Sequence, residues 1–126
     1  MDTVTLGNSG LVVSRIGLGL AALGRPGSIN LGHADDLEAG RDESAMEALA
    51  FAVLDDAFEA GVRYVDAARS YGRAEAFLSA WLARRGIGPE DVTIGSKWGY
   101  VYTAGWRVDA DRHEVKDHSV ENLRRQ

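Results

Sequence analysis

Cysteine is absent from the 126 residues, which excludes disulfides and thiolate chemistry and leaves the redox compartment open, a reducing cytosol being compatible. Long apolar runs are missing as well. The longest near the start, Ile16 to Gly24, falls far short of the roughly 20 residues that a membrane span requires. The opening Met1-Asp2-Thr3 lacks a positive segment followed by an apolar one, so no signal peptide is expected and a cytoplasmic location follows by default. There is no basic excess either: the net charge is -5, with acidic residues dispersed along the chain, and this gives no field to attract nucleic acid. What is present is 45% apolar and 26% charged residues, the composition of a soluble globular domain with a modest core.

Val4-Thr5-Leu6 and Leu11-Val12-Val13 flank the turn-rich Gly7-Asn8-Ser9-Gly10 and predict an opening hairpin. Ile16 to Leu20 reads as a buried strand, and Arg25 to Arg41, rich in Gly and Asp, as a long loop of the kind that often carries function. Met46, Leu49, Ala50, Val53, Leu54, Ala57 and Phe58 then trace one face of a helix, with Ser44 and Glu47 at capping-box spacing and Gly61 as the left-handed stop. A strand Val62–Asp66 follows, then a helix aligned by Ala74, Phe77, Leu78, Trp81 and Leu82 and closed by Arg84, Arg85 and Gly86. Asp91 to Lys97 is the third strand, Trp98 to Arg107 a rim loop, and a third helix begins near Asp117 or Ser119 with Val120 and Leu123 on its apolar side. Repeated βα units demand a parallel sheet with helices packed on it. Three strands do not complete such a sheet, so the chain is expected to be part of a larger domain.

Three features invite chemistry. Gly17-Leu18-Gly19 beside a strand suggests a dinucleotide turn, but the third glycine falls late, at Gly24, and a loop rather than a helix follows; close packing or close ligand approach is the expected role. His113 and His118, with Glu114 and Asp117 between them, fit no metal-ligand spacing and are expected in a solvated segment, while His33 stands alone in the Gly/Asp loop. Asp66, Tyr71 and Lys97 fall at or just beyond the carboxyl ends of two strands, where α/β folds place their ligands. By residue type and position alone they are either a catalytic cluster or a half-exposed ion pair beside a packing tyrosine.

The run Tyr64-Val65-Asp66-Ala67-Ala68-Arg69-Ser70-Tyr71-Gly72, followed by Ser96-Lys97-Trp98-Gly99, resembles the aldo-keto reductase family. Leu6-Gly7-Asn8-Ser9-Gly10-Leu11-Val12-Val13-Ser14-Arg15-Ile16-Gly17-Leu18-Gly19 is similar to that family's amino-terminal hairpin and first strand, so the likeness covers nearly the whole chain. It implies an α/β fold, a (β/α)8 TIM barrel, of which residues 1–126 would be the amino-terminal part: the hairpin plus about three βα units.

The resemblance further implies an oxidoreductase that reduces aldehyde and ketone carbonyls with NADP(H), or NAD(H), without metal, acting on a small molecule rather than on nucleic acid or a membrane. Tyr71 would be the general acid, Lys97 the cation that eases release of its proton, and Asp66 the partner that keeps Lys97 charged. Gly19, Leu20, Asp66 and Tyr71 would touch the cofactor. Of the aromatic residues Trp98, Tyr100, Tyr102 and Trp106, the first two are the candidates for the substrate pocket; covering the barrel rim is the other reading of this group. The family's catalytic histidine, on a later strand, has no counterpart here, nor do the loops that grip the cofactor's phosphates. Ala67 stands where the family often has threonine. A truncated relative that acts by binding, as the family's potassium-channel β-subunits partly do, is the alternative.

Overall fold

A computed structural model describes residues 1–27 and 41–126. The expected hairpin is formed by β1 (Thr3–Thr5) and β2 (Val12–Ser14), antiparallel with Val4 opposite Val13. β3 (Leu18–Gly19), β4 (Tyr64–Asp66) and β5 (Thr93–Gly95) then form one parallel sheet in that order, with Leu18 opposite Val65 and Val65 opposite Ile94. Between them run α1 (Glu43–Glu59) and α2 (Ala74–Arg85), the crossover helices that parallel pairing requires.

Both helices follow their apolar periodicity. Met46, Ala50 and Leu54 of α1 and Ala74, Phe77, Leu78 and Trp81 of α2 are buried. Leu54, Ala74, Leu78 and Trp81 meet Leu20, Val65, Ala67 and Val92 of the sheet layer in one cluster, while Met46, Ala50 and Phe77 form a second between the two helices. Trp81, 1% exposed, contacts Phe58 edge to face at 5.8 Å and donates its indole N–H to Asp55 Oδ1 at 2.8 Å. One wide ring thereby joins α1 to α2, and its polar end is satisfied.

The helix starts and stops are partly as the sequence suggests. α1 is capped by Asp42, whose carboxylate accepts from the Ala45 amide at 2.8 Å, and not by Ser44, which lies inside the helix. A carboxylate at that end also gains from the helix dipole, an advantage the hydroxyl lacks. Gly61, at φ +95°, ends α1: its amide bonds Phe58 O while the Val62 amide bonds Ala57 O. Gly86 ends α2 in the same way, through Ala83 and Leu82. These paired bonds satisfy carbonyls that the helix end leaves over.

The expected buried strand over Ile16–Leu20 is shorter and less covered than the sequence suggests. Pairing with β4 begins at Leu18, and Ile16 is 62% exposed. Gly17 and Gly95 leave room on the sheet face for the ring of Tyr64, since a Cβ at either would lie within 2.8 Å of that ring or its hydroxyl.

The segment expected to be a rim loop contains a strand. β6 (Tyr100–Tyr102) pairs antiparallel with β7 (Glu114–Lys116), so the region around His113 is a second hairpin rather than solvated coil. α3 (Val120–Arg125) starts at Ser119, whose hydroxyl accepts from the Asn122 amide at 3.1 Å. Its expected apolar contacts are not made: Val120 and Leu123 are exposed, and the buried residue is Asn122. No described helix is long and apolar enough to cross a membrane. His33, most of the Arg25–Arg41 loop and whatever they contribute lie outside the described residues.

Candidate active site

Asp66 ends β4, and the pairing of β4 with β5 continues past both strands: the Ala67 amide bonds Gly95 O at 2.8 Å and the Arg69 amide bonds Lys97 O at 2.9 Å. Extension of the ladder brings Lys97 alongside Asp66. Its ammonium lies 2.5 Å from Asp66 Oδ2 and 2.9 Å from the Ala67 carbonyl. It also lies 5.0 Å from the centroid of the Tyr71 ring. Partial burial pulls the Lys97 ammonium down in pKa. The hydrogen bond to Asp66, the charge of Tyr71, the charge of Asp66 and a hydrogen bond to Tyr71 outweigh that pull and raise it above its ordinary value of 10.5. Lys97 therefore stays a cation through the neutral range.

Tyr71 is held by a tight turn between β4 and α2. Its amide bonds Ala68 O at 3.1 Å, its carbonyl accepts from the Ala74 amide at 3.0 Å, and Gly72 follows at φ +60°. The segment after β3 lies directly against this turn. A Cβ on Gly24 would sit 2.1 Å from Tyr71 O, one on Gly72 would sit 2.4 Å from Gly24 O, and the Arg73 amide bonds Gly24 O at 2.7 Å. Gly24 thus serves the close packing expected of these glycines, because no side chain fits between the two segments.

Tyr71 and Lys97 open onto a cleft of about 220 Å³ that is also lined by Trp98, Tyr100, Ser70 and Glu114. Of the four aromatic residues after Lys97, the structure brings two to this cleft. Of the other two, Trp106 covers the helix layer, packing edge to face on Phe77 at 6.3 Å and donating its indole N–H to Arg41 O, and its amide bonds the Tyr102 hydroxyl at 3.1 Å. His118 is not merely solvated, for its ring stands at 5.5 Å from Trp98 and 6.0 Å from Tyr100, edge to face with both. Among the described residues no group of three acidic, histidine or cysteine side chains could hold a metal.

The remaining sequence candidates divide. Gly19 pairs with Asp66, and a Cβ on it would meet open space, so its backbone borders an accessible strand end. Leu20 sends its side chain into the core, 2% exposed, and its amide bonds Asp66 O at 2.9 Å, which leaves only backbone to face a ligand. Two residues at the rim were not foreseen: Arg25, 3% exposed, and Glu114, which pairs with it at 3.0 Å. Neither stands in a periodic pattern or a motif, so residue type was the only available signal.

An acid, a phenol and an amine at the carboxyl ends of parallel strands, beside an aromatic-lined cleft, form an arrangement able to pass a proton to a bound oxygen. The aldo/keto reductase family profile matches residues 15–126. A solved structure from Pseudomonas aeruginosa assigned as an aldo-keto reductase is 29% identical, with a TM-score of 0.65, over 98% of this chain and 38% of its own. A second structure from that organism, likewise assigned as an aldo-keto reductase, gives 29% identity and a TM-score of 0.66 over the same shares of the two chains. An aldo-keto reductase from Bacillus halodurans in its holo form, 24% identical with a TM-score of 0.63, covers 99% of this chain and 33% of its own and supports the fold. No curated protein matches the chain. This chain therefore spans little more than a third of the length of the solved structures it matches. The hairpin, parallel strands and crossover helices are part of a (β/α)8 barrel, and the chain belongs to the aldo/keto reductase family.

Proposed function

We propose that the protein carrying this chain is an oxidoreductase that uses NADP(H), or NAD(H), to reduce aldehyde and ketone carbonyls to alcohols. On this reading residues 1–126 are the amino-terminal part of the barrel domain, Tyr71 is the general acid, and the location is cytoplasmic. The observation that supports it best is the placement of Lys97 Nζ 2.5 Å from Asp66 Oδ2 and 5.0 Å from the Tyr71 ring centroid, at the mouth of the shared cleft.

The described residues fit the reacting end of such a site. The cleft, about 220 Å³, is smaller than the roughly 300–1,000 Å³ of a complete small-molecule pocket, which suits a carbonyl group and a nicotinamide face. Gly19, with open space over its α-carbon, and Asp66 would border the cofactor at the strand ends. A reduced nicotinamide bound there would supply the hydride that reaches the carbonyl carbon. Tyr71 donates its phenolic proton to the carbonyl oxygen, so that hydride and proton together complete the alcohol. The Lys97 ammonium stabilises the phenolate left behind, and Asp66 and the Ala67 carbonyl hold that ammonium in place. Trp98 and Tyr100 offer apolar walls that exclude water from the reacting atoms.

The test uses the protein expressed from its complete open reading frame, with NADPH and simple aldehydes and ketones. Tyr71→Phe is expected to lower turnover on the order of 10² to 10⁴, the usual worth of a positioned acid. Near-normal turnover in that variant would remove Tyr71 from the role. If nicotinamide fluorescence reports NADPH binding while no carbonyl is reduced, the binding-only alternative is favoured.

A further inference from the structure

Arg25 is the most buried charged side chain at the rim, and its position has no part in the chemistry above. It is 3% exposed, and the same guanidinium nitrogen donates to Ser70 O and to Glu114 Oε2, each at 3.0 Å. Its Cζ lies 5.5 Å from the centroid of the Tyr71 ring, close to the 5.0 Å of the Lys97 ammonium. The backbone that carries it is wedged on both sides. Gly24 abuts the Tyr71 turn, while a Cβ on Gly27 would lie 2.8 Å from Val108 O and 2.9 Å from the ring of His113. Arg25 thus sits where the segment after β3, the Tyr71 turn and the second hairpin converge.

We propose that Arg25 is a positioning residue for Tyr71, a second cation on its ring that is tethered and partly offset by Glu114. The proposal rests on the reading of Tyr71 as the general acid. Burying a guanidinium costs several kcal/mol unless it is paired, and here the carboxylate that pairs it also lines the cleft shared by Tyr71 and Lys97. Lys97 is half exposed and titratable, whereas an arginine keeps its charge at any pH the enzyme meets. Among the described residues, the charged and titratable groups around Tyr71 are Lys97 and its partner Asp66 at the strand ends, Arg25 from the segment after β3, and Glu114 and Tyr100 of the hairpin, which line the same cleft. The field of Arg25 reaches Tyr102 as well.

Because Arg25 and Glu114 carry opposite charges, the proposal predicts effects of opposite sign, which a purely structural brace would not produce. With the full protein, NADPH and p-nitrobenzaldehyde, the single-turnover rate of reduction is followed against pH for wild type, Arg25→Met and Glu114→Gln. Loss of the cation is expected to move the alkaline limb of the profile to higher pH, the direction set by removing a positive charge from beside an acid. Loss of the carboxylate is expected to move the limb to lower pH, and Arg25→Lys to restore part of the wild-type profile. If Arg25→Met fails to fold, the direction of the Glu114→Gln shift decides alone. Limbs that stay fixed, or that move the same way, would overturn the role of Arg25 while leaving a Tyr71→Phe loss intact. Undiminished turnover in Tyr71→Phe would overturn the underlying reading instead.

Discussion

Helices α2 and α3 follow the same sequence rule and end in opposite environments. In α2 the apolar stripe is buried between α1 and the sheet, with Trp81 at 1% exposure. In α3 the apolar Val120 and Leu123 are 57% and 48% exposed, and the residue at 0% is Asn122. The Asn122 amide group donates to Asp117 O at 2.7 Å and to Gln126 Oε1 at 3.2 Å, while its oxygen accepts from Arg125 at 2.7 Å. A helical stripe marks which side would be buried; whether it is buried depends on a facing layer. The first half of the barrel segment is held by apolar packing, and the hairpin with α3 by directed polar bonds.

That contrast sets the scale of what substitutions should do. Trp81→Ala removes the ring that joins α1 to α2 and leaves the Asp55 carboxylate only its ion pair with Arg85, and should cost about 3–5 kcal/mol in chemical denaturation. Asn122→Leu leaves the Asp117 carbonyl without its side-chain donor and should cost about 1–3 kcal/mol, read as faster amide exchange confined to α3 and the end of β7. Equal losses spread over the whole chain in both variants would erase the distinction. Asp42→Ala should cost about 1 kcal/mol as a lost helix cap, whereas Ser44→Ala, inside the first turn of α1, should change stability by less than about 0.5 kcal/mol.

The smallest effect is the response to pH, because the groups involved are largely exposed and screened. Tyr102 is raised above 10.0 by burial, against the opposing pulls of its bond from the Trp106 amide and the charge of Arg25, and Lys97 is raised above 10.5. A folded-state value above the unfolded one gives stability that is complete below the unfolded value and lost as pH climbs through the folded one. Asp117 is lowered below 3.8, chiefly by its side-chain and backbone hydrogen bonds with Ser119, so its contribution is present above 3.8 and disappears as pH falls through the depressed value. Tyr102 and Asp117 lie in or beside the hairpin and α3, whereas Lys97 is tied to the end of β4. Amide signals of β6, β7 and α3 should therefore broaden before those of α1 and α2 at both alkaline and acid extremes, and the reverse order would contradict the division.

The parts legible from the sequence are those where one residue type has few alternatives. Gly61 and Gly86 end helices because the left-handed residue there favours glycine, and the stripes of α1 and α2 predict burial because a sheet lies beneath them. The nearness of Asp66, Tyr71 and Lys97 could be anticipated because strand ends in a parallel sheet share one rim. The second hairpin was not legible: Tyr100–Tyr102 and Glu114–Lys116 are three-residue strands separated by the 103–113 segment, with no short turn motif to join them. Asp42 and Ser44 are both good caps, and local spacing favoured the one that the helix did not use. A buried arginine such as Arg25 leaves no periodic trace, since its position depends on a partner 89 residues away.

The central claim is that Lys97 assists reduction by acting on Tyr71, and a double-mutant cycle on the hydride-transfer rate tests it most directly. Tyr71→Phe, Lys97→Met and the double variant are compared in single turnovers with NADPH, after fluorescence has shown that each still binds the nucleotide. The double variant should be no slower than Tyr71→Phe within about threefold, because a cation that works through the phenol has nothing left to assist. Losses that multiply in the double variant would show that the lysine and the tyrosine act independently, and would contradict the account.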